Sequence, residues 1–247
     1  MRTPVRSTIQ LVGSHSEKLP GRRLTDEESG IVWDSLAQPI GRYDSDRASQ
    51  LSGIPRRTIN YWFQQQLLIP DEPLDRRWSY RDLVFLRVFA WLRTKRMPPE
   101  AAAYRVNALR RAHFDQVARI TSVRSQGKEL LLGDESIDRI SGEMVFSEVA
   151  SFFSELRLEA LTGAADLQSG RYQGPDLLRP RPRITIRPAV LSGEPCIRGT
   201  RIATSALYTL SQERGLEPAR IARLYPGTTR VDVTQAIDLE ESLRPAA

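Results

Sequence analysis

Between Ser45 and Gln66 two short stretches of helical period are hinged on one glycine, and the chain beyond them cannot stay helical. Ser45 suits the N-cap of a helix over Asp46 to Ser52 with Ala48 and Leu51 inward, and Gly53 supplies the backbone freedom for a tight turn. A second helix is expected from Pro55 to Gln66, with Ile59 and Trp62 or Phe63 at core spacing. Pro70, Pro73 and the acidic turn between Leu67 and Trp78 then force a break, read as a two-stranded wing with Leu68-Ile69 facing Trp78. Helix, glycine turn, helix, wing is an order that lays the second helix along a major groove.

The residue types on that second helix fit the same use. Its polar face carries Arg56, Arg57, Thr58, Asn60 and Tyr61. Arginine bridges the two acceptors of a guanine edge or clamps a phosphate, asparagine pairs with adenine, and tyrosine donates to phosphate oxygen. The wing adds Arg76 and Arg77 beside Trp78, cations suited to backbone or a minor groove. A helical bundle with a solvated basic face would use the same residues. Charge is segregated: residues 42–124 carry a net +8 and residues 125–178 a net −6, within a total of +6. Such blocks suggest a polyanion on one surface and a basic protein patch on another, or chance segregation on solvated faces.

Further signals lie on either side. Thr25 with Glu28 has the form of a capping box opening a short helix over Ile31, Trp33 and Leu36. Ser79 caps a helix from Tyr80 to Lys95, and Pro98-Pro99-Glu100 restarts one that runs to Phe114. Strands are expected over Ala118 to Val123 and Glu129 to Leu132 around Gln126-Gly127, with a second ribbon around Ser141-Gly142 and a helix over Ser147 to Leu161. After a Gly/Pro-rich stretch come a strand at Ile184 to Ile186, then helices over Thr204 to Glu213 and Glu217 to Leu224, and a third capped by Thr228 or Thr229 that runs to Leu243 with Val231, Val233, Ala236 and Ile237 inward.

The fold class is therefore mainly α with small β elements (α+β). Residues 1–41 read as a flexible arm with room for one short helix, 42–115 as the DNA-binding head, and 116–161 as a β-hairpin and helix connector. Residues 162–183 read as a linker and 184–247 as a three-helix, winged-helix-like C-terminal domain.

The run Tyr43-Asp44-Ser45-Asp46-Arg47-Ala48-Ser49-Gln50-Leu51-Ser52-Gly53-Ile54-Pro55, then Arg57-Thr58-Ile59-Asn60-Tyr61-Trp62, closed by Trp78-Ser79-Tyr80-Arg81-Asp82-Leu83, resembles the MerR-type winged helix-turn-helix family. The departure comes afterwards: effector-sensing members place a long dimerising helix and a drug or metal pocket there, and neither is visible in this sequence. Gly193-Glu194-Pro195-Cys196-Ile197-Arg198-Gly199-Thr200-Arg201-Ile202, with Leu224-Tyr225-Pro226 further on, resembles a small family with a G-x-P-x-I-x-G-T-R-I signature. That resemblance implies an antitoxin of a VapBC-type module, one that represses its own operator and neutralises a PIN-like ribonuclease toxin. The partners implied are operator DNA and the cognate toxin, in a homodimer or a hetero-oligomer with the toxin. Arg198, Thr200 and Arg201 are the candidate partner-binding residues.

Physically, the same loop either grips a phosphate or carboxylate between Arg198 and Arg201 or is pinned structurally against the helices beneath it. Cys196 beside Arg198 is either a packed thiol or one whose pKa the cation lowers. One cysteine and two separated histidines leave no disulfide or familiar metal motif. Acid pairs such as Asp134-Glu135 and Glu240-Glu241 look like solvated faces. No enzyme, cofactor or metal is expected. With Ser14 to Arg23 polar where an apolar signal core would lie, and no long apolar run, the expected setting is cytoplasmic, away from membranes. The competing readings are a stand-alone MerR-like regulator with a small-molecule pocket within 116–160, and a DNA-handling enzyme or its accessory.

Overall fold

The computed structural model describes residues 24–94, 96–111, 124–126, 129–132, 135–136, 162–163, 165–166 and 173–244. It is mainly helical with short antiparallel strand pairs, an α+β fold.

Helix α1 (Asp26–Ala37) starts at the expected capping box: the Glu28 amide donates to the Thr25 hydroxyl at 3.2 Å, and the Thr25 amide donates back to the Glu28 carboxylate at 3.0 Å. Its Val32 and Leu36 are fully buried, so this part of the anticipated flexible arm belongs to the core. The burial of one apolar stripe against α4 (Tyr80–Thr94) is what holds so short a helix in place. Residues 1–23 lie outside the described residues.

Helix α2 (Ser45–Ser52) is capped by Asp44, one residue earlier than expected, because the Asp44 carboxylate accepts the Arg47 amide at 2.8 Å. The Ser45 hydroxyl is engaged elsewhere, accepting the Trp78 indole N–H. Gly53 turns the chain at φ +79°, and α3 (Arg56–Gln64) follows with Ile59 and Trp62 inward. The Trp62 ring meets Phe89 of α4 edge-on at 4.5 Å. In the wing, Glu72 bridges Arg77, while Trp78 pairs with Tyr43 through two backbone hydrogen bonds of 2.8 Å, not with Leu68-Ile69. The Trp78 amide and carbonyl are both taken by Tyr43, which leaves Leu68-Ile69 no backbone partner there.

Helix α4 begins at Ser79 and Asp82, which exchange amide-to-side-chain bonds of 2.9 and 3.2 Å. It is buried on nearly every side from Leu83 to Leu92, the pattern of a central helix. Helix α5 (Pro99–Arg111) restarts at the expected proline and buries Ala102 and Val106.

Strands β1 (Arg124–Gln126) and β2 (Glu129–Leu132) pair as a hairpin with Gln126 opposite Glu129, so that Gln126 lies in the ladder rather than in the turn, and β3 (Glu135–Ser136) joins β2. Residues 118–123, where the first strand was expected, the ribbon around Ser141-Gly142, the helix over 147–161 and Asp134 lie outside the described residues. Most of residues 116–160, where the regulator reading expects a small-molecule pocket, also lies outside them.

Strands β4 (Ala165–Asp166) and β5 (Gln173–Gly174) pair within the stretch read as a linker. Part of it packs as core. Leu177 and Leu178 are buried, the Leu177 amide donates to the Thr162 carbonyl at 2.6 Å, and the Tyr80 hydroxyl donates to the Leu177 carbonyl. Gly174 is there for close approach rather than slack. A Cβ on it would sit 2.7 Å from the Arg87 guanidinium and 2.9–3.0 Å from the carbonyls of Ser52 and Leu51.

The last module pairs β6 (Ile184–Thr185) with β7 (Cys196–Ile197) and packs α6 (Thr204–Arg214), α7 (Pro218–Leu224) and α8 (Arg230–Ser242) together. Gly215 ends α6 in the left-handed region as expected, and of the two candidate caps it is Thr229, boxed with Asp232, that starts α8. Val233 and Ala236 are buried, but Val231 is 53% exposed. Two residues of helix rotate it by about 200° away from Val233, so both cannot face inward. One apolar core runs from Val32 to Leu243, joining head and C-terminal module. Among the described residues no helix is long and apolar enough to cross a membrane.

Candidate nucleic-acid interface

Inward placement of Ile59 and Trp62 forces the opposite side of α3 outward. Arg56 and Arg57 are exposed, Tyr61 is 55% exposed, and Thr58 and Asn60 are half-buried on its flank. Arg56 forms an exposed ion pair with Asp46 of α2 at 2.9 Å. The wing is fastened to the far end of this helix, where the Arg76 guanidinium lies 5.0 Å above the Phe63 ring. Arg76 reaches it from a left-handed backbone, φ +48°. Arg77 goes elsewhere: it lines a cleft of about 510 Å³ with Arg42, Asp75 and Ser192. Arg42 pairs with two of the wing acids, Glu72 at 3.1 Å and Asp75 at 3.0 Å. The structure thus gathers Arg56, Arg57, Tyr61 and Arg76 along one helix and sets Arg77 on another side of the wing.

Two buried arginines that sequence reasoning passed over hold this surface. Arg87 on α4 is wholly enclosed and donates to the carbonyls of Leu51 at 2.8 Å and Ser52 at 3.3 Å. It also donates to Gly163 at 2.8 Å and Pro175 at 2.6 Å. Leu51 and Ser52 form the last turn of α2, whose carbonyls have no partner within the helix, so a guanidinium caps the helix just before the glycine elbow. Burial lowers the Arg87 pKa to about 10, which leaves it cationic at neutral pH.

Arg47 on α2 reaches into the C-terminal module. It donates to Glu194 at 2.9 and 3.1 Å and to Glu240 of α8 at 2.8 and 2.9 Å, with Gln50 as a further acceptor. Burial pulls this guanidinium toward neutrality, but the hydrogen bonds and charges of Glu240 and Glu194 outweigh it and hold the pKa above the usual value. Thr204 donates to the same Glu240 carboxylate at 2.5 Å. The pair Glu240-Glu241 is therefore not a solvated face: Glu241 is exposed, but Glu240 is buried against a cation. Beside it the buried Tyr43 hydroxyl donates to the Gly193 carbonyl at 2.9 Å, and burial raises its pKa well above the ordinary value. A Cβ at Gly193 would fall 1.9 Å from that hydroxyl. The first residues of the signature loop are thus the joint to the head.

A third cluster fixes the wing's root. Arg81 pairs with Asp71 at 2.6 Å, Arg110 of α5 pairs with Asp82, and the Asp71 amide donates to Asp82 at 3.0 Å. Burial pushes the Asp82 carboxyl up to about 6, against the pull of Arg110.

The remainder of the signature loop is pinned on itself. The Thr200 hydroxyl donates to the Ile197 carbonyl at 2.9 Å and accepts the Ile202 amide at 3.1 Å. Arg198 and Arg201 are both exposed, but only Arg201 joins Thr200 in lining a cleft of about 350 Å³, with Thr185, Arg187, Val190, Cys196 and Gly199. Cys196 is a packed thiol. Burial pushes its pKa up to about 11, it donates to the Glu194 carbonyl, and the cation that opposes the shift is Arg201 rather than Arg198. Among the described residues no three His, Cys, Asp or Glu side chains converge as a metal site would require.

A family described as "Protein of unknown function (DUF433)" matches residues 184–238, the stretch holding β6, the signature loop, α6, α7 and most of α8. No curated protein and no solved structure matches the chain.

Proposed function

We propose that this chain is a DNA-binding antitoxin. In this reading α3 enters the major groove of an operator in front of its own gene pair, and the wing grips the flanking backbone. The observation that carries the proposal is the arginine-bearing face of α3, open to solvent while Arg87 and Arg47 hold its scaffold from within. Arg56 and Arg57 stand where an N-terminal turn would meet base edges and phosphates, and Tyr61 stands one turn further along the same face. Arg42 pairs with both Glu72 and Asp75 and cancels one of their two charges, which lessens their repulsion of a polyanion.

The second half of the proposal rests on the signature loop and the family match over residues 184–238. The C-terminal module binds and silences a PIN-like ribonuclease, with Arg201 and Thr200 at the cleft and Arg198 beside it as contacts. Because Glu194 and Glu240 are engaged by Arg47, the toxin meets the outer side of this module. Two measurements test the reading. Binding of the full chain to DNA from its own upstream region should weaken steeply with salt, with log K falling linearly in log salt concentration. Addition of the chain to the nuclease encoded beside it should suppress RNA cleavage. A salt-independent or absent DNA interaction sinks the first half, and undiminished cleavage at saturating chain sinks the second.

A further inference from the structure

We infer that the cleft between Arg187 and Arg201 is a carboxylate receptor that takes one acidic side chain from the surface of the partner nuclease. The inference deepens the nuclease-binding half of the proposed function and rests on it; it adds what the cleft recognises and a second cation, Arg187. The cleft, about 350 Å³, lies where β6 and β7 end, and no Asp or Glu is among the residues that line it. Both of its cations are carried by closed turns. The Val190 amide donates to the Arg187 carbonyl at 2.8 Å. The Ile197 amide donates to the Ile202 carbonyl, and the Thr200 amide to the Ile197 carbonyl, each at 3.0 Å. Gly199 makes the second turn possible at φ +79°, and a Cβ there would meet nothing, so this glycine serves the backbone and not the packing. An anion arriving at the cleft finds two arginines whose backbone is already fixed, which lowers the ordering cost of binding.

The surroundings of the two cations select a carboxylate. Arg201 is exposed and pairs with no carboxylate among the described residues. Arg187 holds Glu27 at 3.2 Å, an exposed pair of the kind that contributes little and exchanges with an incoming carboxylate. The Thr200 hydroxyl is spent on the Ile197 carbonyl and the Cys196 thiol on the Glu194 carbonyl, so neither adds a donor to the cleft. Half-buried Val190 and the buried, un-ionised Cys196 give it an apolar base. Two planar forks over an apolar base match a flat carboxylate on a methylene stem, whereas a tetrahedral phosphate would draw on donors from more sides than these. Residues 1–24 of this chain are excluded as the occupant by sign, since they carry five basic side chains against one acid. Glu194, two residues before Cys196, is held by Arg47 on the side of the head, while Arg187 and Arg201 stay exposed, so the cleft is open to a second molecule.

The experiment measures inhibition of the nuclease encoded beside this chain, using the full chain. Arg187→Gln/Arg201→Gln should weaken inhibition by about a hundredfold, and Arg201→Lys, which keeps the charge but loses the fork, by about tenfold. Thermal melting of both variants should match wild type, because the side chains are exposed and Arg187 gives up only its surface pair with Glu27. Each surface Asp and Glu of the nuclease is then changed to its amide in turn. One such change should reproduce the loss against wild-type chain and add no further loss against Arg201→Gln. Inhibition by the double variant as tight as that by wild type overturns the receptor and leaves the nuclease-binding reading standing. Loss of inhibition with no nuclease acid coupled to Arg201, or coupling only to the C-terminal carboxylate of the nuclease, also overturns it. Dissociation of a wild-type self-assembly in the double variant, with inhibition intact, overturns it in favour of the acid-rich residues 125–178 of a second copy. Wild-type chain that leaves RNA cleavage undiminished overturns the nuclease-binding reading and the receptor together.

Discussion

Arg56 and Arg57 project from α3 into solvent, while Arg47 and Arg87 are sealed beneath the same helix-turn-helix. Both sets are guanidinium groups within one small region, yet they answer to different physics. The buried pair has given up its hydration and regains it only through fixed acceptors: four backbone carbonyls for Arg87, two carboxylates for Arg47. The exposed pair keeps its hydration and contributes little to folding, since exposed ion pairs are worth at most about 1 kcal/mol. The contrast teaches how a chain of high arginine content separates structural cations from those left available to an anion.

The largest effect is expected at Arg87. Replacing it with alanine leaves the Leu51 and Ser52 carbonyls buried without their donor and empties the contact that Gly174 was shaped to allow. Arg87→Ala should lower unfolding free energy by roughly 3–5 kcal/mol, read as a fall in the urea midpoint. Arg87→Lys should recover little, because a compact ammonium cannot span acceptors arranged for a planar fork. A midpoint within the scatter of wild type would show that this cation is not structural.

Arg47→Met comes next, at about 3 kcal/mol, because it strands Glu240 in the core beside Thr204. The double variant Arg47→Met/Glu240→Leu should be distinctly more stable than the sum of the single changes implies. Additive effects across this cycle would mean that the head and the C-terminal module are not coupled through the pair.

Asp82 gives a smaller, pH-dependent effect. Its folded pKa of about 6 lies above the unfolded value of about 3.9, so the folded chain holds this proton more tightly. Its contribution therefore favours the folded state increasingly as pH falls from 6 to 4, and that gain is lost as pH rises through 6. Relative to Asp82→Asn, which cannot titrate, wild type should gain stability between pH 7 and pH 4 in parallel thermal melts. A gap that is constant with pH, or that moves against wild type in acid, would refute the burial assignment.

What the sequence made legible was local. The box at Thr25 and the caps at Ser79 and at Thr228 or Thr229 were readable because each partner lies within a turn, and the exposed face of α3 followed from the spacing of Ile59 and Trp62. What it concealed was distant or alternating. Arg47 and Glu240 are separated by 193 positions, and no local period marks them as partners. Glu240 and Glu241 looked alike, yet a helix turns neighbours about 100° apart and sends one inward. Gly174 resembled linker punctuation because a glycine kept for close packing and one kept for freedom look identical until the opposing atoms are known. Asp44 displaced Ser45 as cap for a similar reason, since the Trp78 indole claims the serine from 33 positions away.

The smallest stability effect is also the sharpest side of the comparison. Arg56→Ala/Arg57→Ala removes two cations, and the only ion pair the structure shows for them among the described residues is the exposed contact of Arg56 with Asp46. Unfolding free energy should stay within about 0.5 kcal/mol of wild type. Operator affinity should nevertheless drop, and the slope of log K against log salt should flatten by about two, near 0.9 for each lost phosphate contact. A variant that is as stable as wild type but binds less steeply with salt would divide the arginines as the structure does. If the urea midpoint falls instead and the salt slope holds, these two residues belong with Arg47 and Arg87, and α3 loses its claim to face a duplex.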